Sequence, residues 1–246
     1  MNKYRGDLHI HTLLSPCASL EMTPRTIVEK AREKELNIIG ITDHNSTKHC
    51  LLVQNIARQA GIFTLTGAEV TTREEVHCLA FFELPGQLAR FQLFIEENIT
   101  CIPHSDERFG YQPVIDENEN IVEMISWFLP AALKVGIEKI QQLVYRLDGI
   151  FIPAHIDRPA NGILSQLGFI PPDLKFDALG LSKFGSVENI RRRYEIDDKT
   201  TLIRNSDAHY PEQIGDIYTI FNTKGISFPE IRKALNRQEN RYCELP

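Results

Sequence analysis

Six of the eight histidines in this chain fall at the ends of segments that read as strands: His9, His11, His44, His77, His155 and His209. Asp7, Asp43, Glu69 and Asp207 stand beside them. Imidazole and carboxylate together suit zinc, manganese or iron, and carboxylates that bridge suit sites holding more than one ion. The collection is too large for one tetrahedral ion. It implies two or three divalent metal ions: manganese, zinc or iron. In His9-Ile10-His11, strand alternation sends both imidazoles one way and Leu8 and Ile10 the other. Asp7 and Asp43 read as groups that orient the adjoining histidines rather than as ligands. His49 and His104 lie outside the pattern.

The elements that must position these groups follow from periodicity and breakers. Thr23 caps a helix that Pro24 opens, with Ile27, Val28, Ala31 and Leu36 at helical spacing. Ile38–Thr42 is a continuous apolar run, the pattern of a strand buried on both faces. It leads into Asp43-His44-Asn45, and Ser46 or Thr47 is placed to cap a helix running to about Gln59. Ile62–Val70 and Val76–Phe82 read as the next two strands. Strand, helix, strand, helix, strand implies right-handed crossovers and a parallel sheet with helices outside it. The stretch from about residue 84 to 148 breaks this rhythm: helical patterns over Gln87–Glu97 and Gly136–Leu147 flank an acidic loop or hairpin. It reads as an elaboration inside a single domain covering 1–246. The rhythm resumes with strands over Gly149–Ala154, Ala178–Leu181 and from Leu202, each running towards a histidine or a polar loop. A basic helix over Ser186–Tyr194, a last strand over Ile217–Phe221 and a helix over Pro229–Asn236 complete the reading.

A formal net charge of −6 gives no support to long-range attraction of a polymeric nucleic acid. No apolar run reaches the length of a membrane span. The first strand begins too early to leave room for a leader. The five cysteines are scattered and form no CxxC pair, so no disulfide framework is expected and a cytoplasmic location is.

Asp-Leu-His-Ile-His-Thr at 7–12, Ile-Thr-Asp-His-Asn at 41–45, Gly-Ala-Glu at 67–69 followed by His77, Pro-Ala-His at 153–155 and Ser-Asp-Ala-His at 206–209 resemble, in order, the motifs of the PHP (polymerase and histidinol phosphatase) domain. The resemblance implies an α/β fold, a distorted (β/α)7 TIM-like barrel, with a trinuclear metal site at the C-terminal face of the strands. It assigns metal contacts to His9, His11, His44, Glu69, His77, His155, Asp207 and His209. Glu69 is then the bridge, and Glu69, Asp207 and His209 carry the catalysis. One departure stands out. Many phosphatase-like members have an Asp or His ligand shortly after the opening motif, where this chain reads Thr12-Leu13-Leu14-Ser15-Pro16-Cys17. Cys17 is either a substitute thiolate ligand or a small residue in a tight loop.

The expected activity is metal-dependent hydrolysis of a phosphate monoester or diester, with hydroxide formed from a water whose pKa the metals lower from about 16 towards roughly 7. Arg158 is the first candidate for holding substrate phosphate, with Arg73 and Lys183 behind it. The resemblance points to a nucleotide or short oligonucleotide, as in 3′,5′-nucleoside bisphosphate phosphatases. Alternatives are a histidinol-phosphate phosphatase, a metal-dependent amidohydrolase and a non-catalytic, metal-stabilised module that binds a partner. The partner expected is a small phosphorylated molecule, with no membrane; oligomeric state is left open.

Overall fold

In the computed structural model, which describes residues 1–246, the chain begins with β1 (Asn2–Ile10), α1 (Pro24–Glu33), β2 (Ile38–Ile41), α2 (Cys50–Gln59), β3 (Phe63–Thr71) and β4 (His77–Phe82). The middle supplies α3 (Pro85–Asn98), the short α4 (Asp106–Phe109), a hairpin of β5 (Pro113–Ile115) and β6 (Ile121–Met124), and α5 (Ile137–Arg146). Then come β7 (Ile150–Pro153), α6 (Ile163–Gln166), β8 (Leu179–Leu181), α7 (Val187–Tyr194), β9 (Leu202–Arg204), β10 (Thr219–Thr223), α8 (Phe228–Leu235) and β11 (Tyr242–Glu244).

Seven strands form one curled sheet in the order β11-β10-β1-β2-β3-β4-β7. The expected parallel arrangement holds for β1, β2 and β3, each pair joined through a helix. It stops at β4, which pairs antiparallel with both β3 and β7. The reason is the length of the connection. Only Thr72–Val76 separates β3 from β4, far too little chain for a crossover and enough for a hairpin. Thr71 consequently pairs with His77, which puts the first residue of β4 at the rim where β3 ends.

Parallel β8 and β9 form a two-stranded ribbon between β7 and β1. Ile156 N–H donates to Gly180 O at 2.8 Å, and Asp177 N–H to Phe151 O at 2.9 Å, tying β8 to β7. On the other side, Ala208 bridges Ile10 in parallel fashion, and His11 N–H donates to Ala208 O at 3.0 Å. The result is an α/β fold with the curl of a distorted TIM-like barrel.

Two apolar layers follow from strand alternation. Ile38, Leu65, Leu79, Phe81, Ile150 and Ile152 pack inside the curl, while Ile39, Ile41, Val70 and Ala80 pack outward against α1, α2 and α3. β1 departs from simple alternation. Its pairing with β2 shifts register between Asp7 and Ile10, so Leu8 joins the inner layer and Ile10 the outer one. Leu8 and Ile10 therefore do not share a face, contrary to the period-2 expectation; a bulge adds a residue without reversing the face. Gly40 sits beside this irregularity, where a Cβ would meet the backbone of Leu8.

α8 covers the N-terminal ends of the strands. Its Phe228, Ile231 and Leu235 join the inner layer, and Arg232 binds Asp148 and the carbonyl of Gly149 at the start of β7. That leaves the C-terminal rim open. α1 begins as read, with Thr23 Oγ1 accepting from Thr26 N–H at 3.2 Å. α2 does not: it starts at Cys50, and Thr47 is held instead by Gln92, whose Oε1 accepts both its N–H and its hydroxyl. β11 is a strand that periodicity did not reveal, being three residues long.

Candidate active site

Glu69 is the hub at the open rim. Its Oε1 lies 3.0 Å from His77 Nδ1, 3.0 Å from His155 Nε2 and 3.2 Å from His9 Nε2. Its Oε2 lies 3.2 Å from His44 Nδ1 and 3.3 Å from His11 Nε2. Asp207 Oδ1 approaches the same pair, 3.2 Å from His9 and 3.4 Å from His11. The His209 ring lies over His11 with centroids 4.3 Å apart. All eight residues read as ligands from the sequence are thus brought to one place.

Donor atoms of seven of them fall into three overlapping groups able to hold a metal ion: His9, His11, Glu69 and Asp207; His11, His44 and His209; and His44, Glu69 and His77; His155 is in none of the three and meets the cluster through Glu69. The donor set fits divalent metal ions. The Nε2 atoms of His9 and His11 face each other at 3.2 Å, and the buried Nδ1 of His44 has no hydrogen-bond partner although it points at Glu69. Lone pairs crowded on one point with two carboxylates are satisfied by a cation.

A second layer of hydrogen bonds fixes these rings. Asp43 Oδ1 accepts from Thr12 N–H at 2.7 Å and from the Ser15 hydroxyl at 2.7 Å, and Oδ2 accepts from the Thr12 hydroxyl at 2.8 Å. Ser15 Oγ, its proton given to Asp43, accepts from His44 N–H and from His11 Nδ1. His49, left outside the pattern by sequence reading, is buried behind the site; its Nδ1 donates to Thr12 Oγ1 and its Nε2 accepts from Ile115 N–H in β5. Asp7 accepts from the N–H groups of Ser206 and Gly215, both at 3.0 Å, which pins the loop carrying Asp207 to β1. Neither Asp7 nor Asp43 belongs to the three donor groups. Sequence reading missed Ser15 and Thr12, and their one signal was proximity to the opening histidines.

The backbone is forced at three points of the rim. Asn45, His155 and Asp207 have φ of 45°, 27° and 54°. Such left-handed values are uncommon outside glycine, least so for Asn, Asp and His, and they gather at functional sites. Asn45 earns its conformation by anchoring: its side chain donates to Leu129 O and Ala131 O and accepts from Thr71 N–H. It thereby joins the 84–148 elaboration to the rim.

The charges are strongly coupled. Burial opposes ionisation of Glu69, but His77 and His9 beside it hold its carboxyl well below the usual carboxylate range. Asp207 is lowered in the same way by His9 and His11. Burial also opposes charge on His11, yet its contacts with Asp207 and Glu69 push it up to about 10. Burial and His11 drive His209 down to about 4, so it is neutral at pH 7. Its Nδ1 donates to Asp207 O at 2.9 Å, leaving Nε2 for the cluster.

A cavity of about 700 Å³ opens beside His9, Asp207 and His209. Arg158 lines it, and its Nη1 lies 2.6 Å from Asp207 Oδ2. Lys183 lines it too. Arg73 does not; it is exposed and pairs with Glu74 at 3.1 Å, which removes it as a phosphate ligand. Cys17 is exposed on the cavity wall and in none of the donor groups. No helix is long and apolar enough to cross a membrane.

Several known proteins resemble this chain in sequence or in fold. The uncharacterized protein YqxK of Bacillus subtilis is 23% identical across 98% of this chain and 64% of its own length. The lesion-specific endonuclease EndoQ of Pyrococcus furiosus superposes with a TM-score of 0.77 at 22% identity, over 98% of this chain and 58% of that one. The chain therefore spans about three fifths of the length of both. A candidate metal-dependent phosphoesterase from Bifidobacterium adolescentis superposes with a TM-score of 0.59 at 18% identity, covering 95% of this chain and 96% of that one. The family model for the PHP-associated region matches residues 202–240. The PHP domain model matches residues 7–149, more than half of the sequence, and the chain belongs to the PHP domain family.

Proposed function

We propose that this chain is a metal-dependent phosphoesterase acting on a phosphate monoester or diester of a nucleotide or short oligonucleotide. The observation that carries the reading is that the Glu69–Asp207–histidine cluster opens, through His9, His155, Asp207 and His209, onto a cavity that Arg158 also lines. His9, His11, His44, Glu69, His77, His155, Asp207 and His209 would hold two or three divalent ions. Bound there, divalent ions lower the pKa of water and neutralise charge on phosphoryl oxygens.

The protein's own groups divide the remaining work. Arg158 uses one N–H on Asp207 and presents the rest of its fork to the cavity, where it can take a non-reacting phosphate oxygen. His209, neutral and fixed through Nδ1, has Nε2 directed at the cluster, suited to ligation and to passing a proton. Asp7 and Asp43 hold in place the loops that carry Asp207 and Ser15. The structure of Endonuclease Q with a duplex that holds an abasic lesion at the active site, which superposes with a TM-score of 0.71, supports looking among nucleic-acid esters.

The test is a substrate panel on protein loaded with manganese, zinc or iron: nucleoside 3′,5′-bisphosphates, short oligonucleotides, histidinol phosphate and cyclic amides. Hydrolysis of the nucleotide esters is expected, and Asp207→Asn should lose it by about 10²- to 10³-fold, the scale of removing one group that stabilises charge at a reacting centre. Turnover of the cyclic amides alone assigns an amidohydrolase. Full metal content with no turnover of any ester assigns a partner-binding module.

A further inference from the structure

The cavity brings two kinds of residue together. His9, Asp207, His209 and Arg158 are charged or able to ligate a metal. Pro159, Leu181, Phe184, Tyr210 and Ile217 add apolar and aromatic surface to the same lining. Phosphate alone needs no such apolar surface. Phe184 is 85% exposed and Tyr210 50% exposed, so neither ring is there to fill the core.

The segment that bears Phe184 is held firmly for an exposed loop. Asp157 Oδ1 accepts from Ser182 N–H at 2.7 Å, and Asp157 Oδ2 accepts from the Ser182 hydroxyl at 2.6 Å. Arg204 donates to the carbonyl of Gly185 on the far side of Phe184. Lys183 places its ammonium 5.0 Å from the Phe184 ring centre. An aromatic face fixed at both flanks, with a cation beside it and Arg158 in the same cavity, has the components that single-stranded nucleic-acid sites use: stacking surface plus positive charge.

We propose that Lys183–Phe184 is a base-stacking platform that selects substrates carrying a nucleobase next to the scissile phosphate, with Asp157 as its positioning residue. This rests on the phosphoesterase reading above and goes further by naming the part of the substrate the cavity recognises. The acidic chain still offers Arg158 and Lys183 to the nucleotide, so recognition is local and needs no basic surface.

The experiment compares two unlabelled probes on metal-loaded protein: a thymidine trinucleotide, and the same backbone with tetrahydrofuran units in place of the nucleosides. Phe184→Ala should lower kcat/KM on the trinucleotide by about 10-fold or more, the usual effect of losing one stacked base, and leave the abasic backbone within about twofold. Asp157→Ala should follow the same pattern, and Phe184→Tyr should restore the trinucleotide rate. Equal losses on both probes, or no loss on either, overturn the platform.

A binding measurement keeps this separate from the phosphoesterase reading. In Phe184→Trp, with wild-type protein as the reference for Trp127, saturable fluorescence quenching by adenosine monophosphate and none by ribose 5-phosphate is expected. Quenching without hydrolysis of any ester sinks the activity and retains the platform. Hydrolysis without quenching sinks the platform alone.

Discussion

Ser15 Oγ lies 3.0 Å from His11 Nδ1 and decides which nitrogen of that ring faces Glu69 and Asp207. Because the hydroxyl gives its own proton to Asp43 Oδ1 at 2.7 Å, it must accept from His11, and Nδ1 carries a hydrogen. Nε2 is left to face the carboxylates. Ser15→Ala removes the only acceptor for that hydrogen and also the partner of His44 N–H. Loss of such an orienting contact weakens metal binding by about 10- to 100-fold. Titration calorimetry with manganese or zinc measures it, and unchanged affinity would show that Ser15 has no part in ordering the ring.

The same ring makes metal binding a proton exchange. Against burial, contact with Asp207 and Glu69 raises His11 to about 10, so at pH 7 the metal-free protein carries a proton on Nε2 as well. A ligating imidazole must surrender it. Affinity should therefore rise with pH, by about tenfold per unit for a one-proton exchange below pH 10. Calorimetry in two buffers of different ionisation enthalpy reads the released protons directly. A buffer-independent heat with pH-independent affinity contradicts this.

Much of the site was legible because each motif ends an element whose type the sequence declares. Ile38–Ile41 is apolar on both faces and can only be a buried strand, so His44 must follow its end; Gly67-Ala68-Glu69 closes β3 in the same way. What stayed hidden depended on contacts between distant residues. His77 starts its strand rather than ending one, and only the short Thr72–Val76 link, by forcing an antiparallel hairpin, explains why it reaches Glu69. His49 and Ser15 have no distinguishing pattern; their roles arise from bonds to Thr12 and Asp43, 37 and 28 residues away. The split of Leu8 from Ile10 comes from a register shift that period-2 reading cannot foresee. The opening His9–His11 pair was read correctly in direction for a reason that was half wrong.

Glu230 gives the fold a pH dependence remote from the rim. It receives N–H groups from both Arg241 Nε and Nη2, at 3.0 and 2.8 Å, and the Arg241 bond holds its carboxyl down to about 2. A carboxyl depressed in the folded state contributes stability that is complete above its unfolded value of about 4.5 and is lost as pH falls through about 2. Glu230→Gln should lower the melting temperature at pH 6, and the gap to wild type should close between about pH 4.5 and 2. A gap that stays constant across this range would mean that the carboxylate charge is not what joins α8 to the 237–241 turn.

Arg158 and Asp207 are 2.6 Å apart, yet the arginine side chain is 47% exposed. Solvent screening limits such a pair to under about 1 kcal/mol of stability, equivalent to a melting shift of roughly 2–4 °C in a chain of this size. In the proposed reading its role is to hold substrate phosphate. Arg158→Lys keeps the charge but loses the planar fork, so one ammonium must choose between Asp207 and a phosphate oxygen. The variant should melt within a few degrees of wild type and bind metal with nearly its affinity, while kcat/KM on a nucleotide ester falls by about 10²-fold. Thermal unfolding, metal titration and steady-state kinetics on the same preparation separate the possibilities. A metal-loaded Arg158→Lys protein with wild-type kcat/KM would leave substrate phosphate without the ligand assigned to it and move that role to Lys183, the other cation on the cavity wall.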